Sequence, residues 1–293
     1  MNGNGMGRIA EHRDSRPKHL GRIAEHRGSS PKYLTPWVAW LAALAGSVAL
    51  LCCAGWIAPR LPLFPVFAFI AGFTAVSGES LFVSLLVPHA LPRMLPWLAF
   101  PLAALVVVRM TGSTGLLAAA TVTAALLAAG TLTGSVVGSA IEHPGHIGFV
   151  AVASSLADVA SVYSPAGVTA AVVRSPALLS VLSLPWPMLG TPQFESFLGI
   201  GEVLFSSLYL AASRGNGLSV RRTLLALCGG FVLTLFALLL FELDIPALPF
   251  LGAAVVLAQP RTRRPAEADR RRGLVGMALL LLIFFGWMLL PYL

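Results

Sequence analysis

A chain of 293 residues that is 57% apolar and only 11% charged, with a mean hydropathy of +0.82, does not have a soluble composition, in which about a quarter of residues are charged. This excludes a soluble enzyme, a disordered chain and a nucleic-acid-binding domain, so the net charge of +8 is no nucleic-acid footprint. The composition describes an all-α polytopic membrane protein with about nine transmembrane helices, at roughly 20 apolar residues per crossing.

In chain order, residues 1–34 form a polar, basic tail that contains a duplication. Gly7–Leu20 and Gly21–Leu34 differ only at Asp14/Gly28, Arg16/Ser30 and His19/Tyr33. Two polar units cannot stack into a solenoid, and the tail lacks the short apolar core and cleavage site of a signal peptide. Its Lys and Arg residues suit anionic lipid headgroups.

Apolar runs follow at 36–58, 63–88, 95–110, 115–141, 147–171, 196–213, 222–242, 245–258 and 274–292. Prolines fall mainly between them, where helices should end. Four segments result: the tail 1–34, amino-terminal helices over 35–146, a central block 147–258, and a basic loop plus a last helix over 259–293. With nine spans and the tail inside, seventeen of the twenty Lys/Arg lie on the inner side. Only Arg60, Arg109 and Arg174 lie outside, as the positive-inside rule requires. The high Ala, Gly and Arg content points to a bacterial inner membrane, with the N-terminus cytoplasmic. Cys52, Cys53 and Cys228 all sit in apolar runs and form no disulfide pattern.

An ionisable residue inside a span is costly and so marks a candidate site. Glu242 and Asp244 sit at a predicted helix end, where solvation explains them as well as function does. Glu79 fits a kinked helix interior and a membrane-dipping turn equally. Glu142, His143 and His146 cluster in a loop but lack a further metal ligand. Asp158, in mid-span, and Glu202, near the start of the next span, are different. Carboxyls on adjacent helices can come together, and Gly199 and Gly201 let a backbone approach Glu202 closely. Two close carboxyls share a proton, so that one can activate water while the other polarises a carbonyl. A proton relay in a transporter would use much the same pair.

Three motifs occur in order. Leu198-Gly-Ile-Gly-Glu202 resembles the GxGD segment of the presenilin and signal peptide peptidase family of intramembrane aspartyl proteases. Ala157-Asp158, followed by Pro165-Ala-Gly167, is similar to that family's Tyr-Asp segment with its trailing Pro-x-Gly. Pro246-Ala247-Leu248 is similar to its Pro-Ala-Leu motif. The resemblance covers roughly 147–258 and implies a presenilin-like fold that cleaves transmembrane segments within the bilayer. Asp158 and Glu202 would be the catalytic pair, and Gly199, Gly201, Pro246, Ala247 and Leu248 would bind substrate. No metal or organic cofactor is implied, and the partners would be transmembrane helices of substrate proteins. Ala157 and Glu202 replace the family's Tyr and Asp, and the acids fall on the fifth and sixth runs rather than on the sixth and seventh spans. A catalytically impaired relative that binds helices, or a proton-coupled transporter, is the alternative. The charge asymmetry resembles the orientation of the signal peptide peptidases, which implies substrates with their N-termini inside.

Overall fold

A computed structural model describes residues 34–61, 64–88, 96–112, 115–164, 167–241 and 245–264, with scattered positions from 271 to 286. The duplicated tail up to residue 33, Glu242 and Asp244, Pro165, Arg270, Arg272 and most of the 274–292 run lie outside the described residues. From Pro36 onwards the chain belongs to one compact unit.

The molecule is mostly helical. Its helices are α1 (Leu34–Ile57), α2 (Pro65–Leu86), α3 (Ala99–Thr111), α4 (Leu116–Ser139) and α5 (Pro144–Tyr163). Two short helices follow, α6 (Val168–Arg174) and α7 (Pro176–Leu182), then the strands β1 (Ser183–Pro187) and β2 (Phe194–Gly199). The chain continues as α8 (Ile200–Gly215), α9 (Val220–Phe241) and α10 (Leu248–Ala258). Five helices, α1, α2, α4, α5 and α9, are long and apolar enough to cross a membrane. The helix starts follow local chemistry. Pro65, Pro144 and Pro176 occupy first-turn positions, where a missing N–H costs nothing. His143 caps α5 by accepting the Gly145 N–H at Nδ1, 3.0 Å away.

Two expected runs take a different course. The 147–171 run breaks at Tyr163, because Pro165 follows and drives Ser164 into extended backbone. The 196–213 run begins as a strand and becomes helical only at Ile200. Between them, β1 and β2 pair antiparallel from Ser183↔Gly199 to Pro187↔Phe194, with a register shift at Leu184/Pro185, where proline withholds its donor. The hairpin turn is tied to the end of α1 by the Gly190 N–H, which donates to Ala58 O at 2.8 Å. The ring of Phe197 from β2 stacks near Phe69 of α2, at 5.4 Å between centroids.

α8 is the inner helix, with Leu208, Tyr209, Leu210, Ala211 and Ala212 all buried. Gly130, Gly134 and Gly138 of α4 recur every fourth residue, a spacing that puts all three on one helix face. A Cβ at Gly134 would collide with the carbonyl oxygen of Leu204, and one at Gly138 with that of Leu208. A Cβ at Gly130 would lie 2.8 Å from Val203 Cγ1. The α4 backbone therefore lies directly against α8, and Ser207 Oγ donates to Thr131 O across the contact at 2.7 Å. Small residues permit such close approach within a bilayer.

One end of the bundle collects the positive charge. Arg214 at the end of α8 donates to the carbonyls of Ser84, Leu85 and Val87, which close α2. Asn216 reaches Ile141 O beyond α4, and Gln259 beyond α10 reaches Ser219 O before α9. Arg221, Arg222, Arg261, Arg263 and Arg264 lie on these same junctions. Arg60 closes α1 at the opposite end, beside the hairpin turn.

The packing yields a test. Gly134→Val should destabilise the protein by about 3 kcal/mol, because the branch has no space to enter. Gly229→Ala meets nothing within 4 Å and should be tolerated. Apparent Tm in detergent separates the two, and equal values would contradict the α4–α8 contact.

Candidate functional site

Asp158 sits five residues before the end of α5, on the stretch that packs against α10. That packing is close, since a Cβ on Gly252 would lie 3.2 Å from both Ala151 Cβ and Ala151 O. Seven residues beyond Ala151, Asp158 meets the start of α10, where the first-turn N–H groups have no helical partner. Leu248 N–H donates to Asp158 Oδ2 at 2.9 Å, and the Ala247 N–H also faces that carboxyl. Pro249 in the same turn has no donor to offer. Asp158 thus lies at a helix N-terminus, a position that favours a negative charge.

Glu202 lies in the first turn of α8, immediately after β2 ends at Gly199. Phe197 holds the preceding strand against α2, where a Cβ on Gly72 would come within 2.6 Å of its ring. The strand-to-helix switch at Gly199 then turns the chain so that the Glu202 carboxyl folds back over Gly199. A Cβ on Gly199 would stand 2.8 Å from Glu202 Oε2, so any larger residue there would push the end of the carboxyl aside. Gly201 faces open space, with nothing within 4 Å of a built Cβ.

Asp158 and Glu202 are both half-buried, and the charge of Asp158 acts on Glu202. They line one cavity of about 350 Å³. Gly199 and Gly201 line it too, as do Pro246, Ala247 and Leu248. All seven candidate residues therefore border the same space, beneath the Ser196–Leu198 stretch of β2. A cavity with two carboxyls, one of them with an oxygen not engaged by Leu248, is equipped for proton transfer to and from a bound carbonyl or water.

Several contributors were not visible in the sequence. Ser161 and Thr169 share a 2.7 Å hydroxyl hydrogen bond, and the Thr169 N–H donates to Ser161 Oγ at 2.8 Å. This fastens α6 onto α5 one turn past Asp158 and brings Thr169 to the cavity wall. The N–H of Leu248 had no signal, because a backbone donor leaves no mark on residue identity. Glu79 is elsewhere, buried in the continuous helix α2 and lining a separate cavity with α1. His143 serves as a helix cap. Among the described residues no group of three His, Cys, Asp or Glu is arranged to hold a metal.

The chain matches no protein family, no curated protein and no solved structure.

The Leu248 contact predicts a difference between two substitutions. Asp158→Asn keeps an oxygen to accept the Leu248 N–H, so stability should change by less than about 1 kcal/mol. Asp158→Ala strands that buried donor and should cost about 1–3 kcal/mol. Denaturant titration in detergent measures both, and an Asp158→Ala protein as stable as Asp158→Asn would contradict the bond.

Proposed function

We propose that this chain is an intramembrane aspartyl-type protease with a presenilin-like arrangement of nine spans, cleaving transmembrane segments in a bacterial inner membrane. The observation that carries this reading is the convergence of Asp158, Glu202 and the Pro246–Leu248 segment on one cavity, with Leu248 N–H bound to Asp158. An unwound substrate segment lays its scissile carbonyl between the two carboxyls. Among the described residues β2 pairs only with β1, and its Ser196–Leu198 stretch lines the cavity. An extended substrate can add to that edge through main-chain hydrogen bonds.

The chemistry needs water and two carboxyls. The free oxygen of Asp158 takes a proton from water, and the water oxygen adds to the carbonyl carbon. Protonated Glu202 gives its proton to the carbonyl oxygen, forming a gem-diol. The diol collapses as the C–N bond breaks. Asp158 returns its proton to the leaving nitrogen, and Glu202 regains one from a diol hydroxyl. No cofactor takes part.

Cleavage of a membrane-embedded reporter should stop in Asp158→Asn and in Glu202→Gln, since an amide can neither carry the shared proton nor activate water. Gly199→Ala should cut turnover on the order of a hundredfold by pushing the Glu202 carboxyl aside, while leaving the fold intact. Cleavage that persists in the Asp158→Asn, Glu202→Gln double variant would overturn the assignment.

The same proposal fixes orientation. The arginine-rich end of the bundle lies inside with the N-terminus, against anionic lipids, and the hairpin lies outside. Substrates then enter with their N-termini inside, as in signal peptide peptidases. In a chain lacking Cys52, Cys53 and Cys228, a membrane-impermeant maleimide added to intact cells should label Gln193→Cys and spare Arg264→Cys. The reverse pattern would refute this orientation.

A further inference from the structure

The seat that α4 offers α8 is built from glycines whose missing Cβ atoms make room for a backbone. A second groove built from small residues runs between α1 and α2, and none of the described residues fills it. Ala42 and Gly46 of α1 face Thr74 and Gly78 of α2 across a cavity of roughly 530 Å³, with Phe82 on its rim. Ala42, Gly46, Thr74, Gly78 and Phe82 are all exposed, and a Cβ on Gly46 or on Gly78 would meet nothing within 4 Å.

An independent observation points to what the groove receives. Glu79 lines it while only 7% exposed, and its Oε1 has no hydrogen-bond partner. A carboxyl buried without a partner is expensive in an apolar setting. Glu79 lies seven residues before Leu86, hence about 10 Å from the arginine-rich end at 1.5 Å per residue. With α2 crossing the bilayer, that depth is inside the hydrocarbon region.

We propose that the α1–α2 groove binds a transmembrane helix of another protein that carries a side-chain N–H donor (lysine, histidine, asparagine or glutamine) at the depth of Glu79. The small residues admit the helix backbone, and Glu79 accepts the hydrogen bond. A second copy of this chain brings none of these four residue types to that depth, and the indole N–H of Trp40 there is buried and already donates to Thr131 Oγ1. Among the described residues, every Arg, His, Asn and Gln lies at a helix end or in a connection, and there is no Lys. The 274–292 run likewise contains none of these residue types. This groove is separate from the Asp158–Glu202 cavity, and the proposal does not depend on proteolysis.

The test uses the full chain in phosphatidylcholine vesicles and two synthetic leucine-alanine helices, one with a single asparagine seven residues from its inner end and one without. Energy transfer between labelled protein and peptide should show at least tenfold tighter binding of the asparagine helix. Glu79→Leu should abolish that preference, and Gly78→Ile, which fills the groove, should weaken both peptides. A photo-crosslinking benzoylphenylalanine in place of Phe82 should capture the asparagine peptide. Equal affinity for the two peptides, or a preference that survives Glu79→Leu, would overturn the proposal. So would crosslinking of residue 82 chiefly to a second copy or to the chain's own 274–292 segment. Should Glu79→Leu not fold, Gly78→Ile decides alone: undiminished binding of the asparagine helix to that variant would overturn the proposal.

Discussion

The close contact between α4 and α8 governs the rest of the structure. α8 is 16 residues long and carries Glu202 and Arg214, which would suit it poorly to a lipid-facing position. It is instead enclosed, and the glycines at 130, 134 and 138 make that possible by lowering α4 onto its backbone. Lipid provides no hydrophobic drive between helices, so packing of this kind and hydrogen bonds such as Ser207 to Thr131 must hold them. Once α8 is fixed, α2, α9 and α10 can close around it, and Arg214 at its far end reaches the last carbonyls of α2.

Arg214 and Asp158 illustrate how charge is accommodated at two depths. Arg214 lies among the final carbonyls of α2, where the negative end of a helix favours a cation. Asp158, on α5, lies at the start of α10, where free N–H groups favour an anion. Each charge is placed against the helix terminus of matching sign, so neither requires a salt bridge. The constraint runs in both directions. Asp158 needs α10 to begin at Leu248, and Pro249 in the first turn helps to set that start. The Pro-Ala-Leu segment thereby acts on the acid through its backbone donors.

Much of the helical layout was legible because apolar runs and prolines are strong signals. α2 and α4 fall within the expected runs, and α1, α5 and α9 start two or three residues ahead of theirs, with boundaries set by Pro65, Pro144 and the break before Pro165. The β-hairpin was not legible. β1 is Ser-Leu-Pro-Trp-Pro, and two prolines in five residues argue against a strand. β2 is Phe-Glu-Ser-Phe-Leu-Gly, which reads as the leading turn of a helix when only hydropathy is considered. Its strand character comes from pairing with β1 and from the fit of Phe197 into the space left by Gly72, both of which are tertiary. At the site, the acids and the Pro-Ala-Leu segment stood out by residue type. The reason for Gly199 did not. It permits the Glu202 side chain to fold back, a geometric fact about a residue three positions away.

Glu79 shows what the pattern of satisfied charges leaves over. Asp158 has a helix N-terminus and Arg214 a helix C-terminus, whereas Glu79 sits mid-helix, where every neighbouring N–H and carbonyl of α2 is already engaged in the helix ladder. The backbone therefore cannot supply its partner, and the adjacent hydroxyls of Ser77 and Ser80 are themselves unpaired. Ser47, the buried polar residue on the facing side of α1, lines the same groove yet does not satisfy Glu79 Oε1. A donor for that oxygen has to come from outside the described chain. At that depth a side chain on another membrane-spanning helix can bring one, and the unfilled glycine positions at 46 and 78 leave the space for that helix to approach.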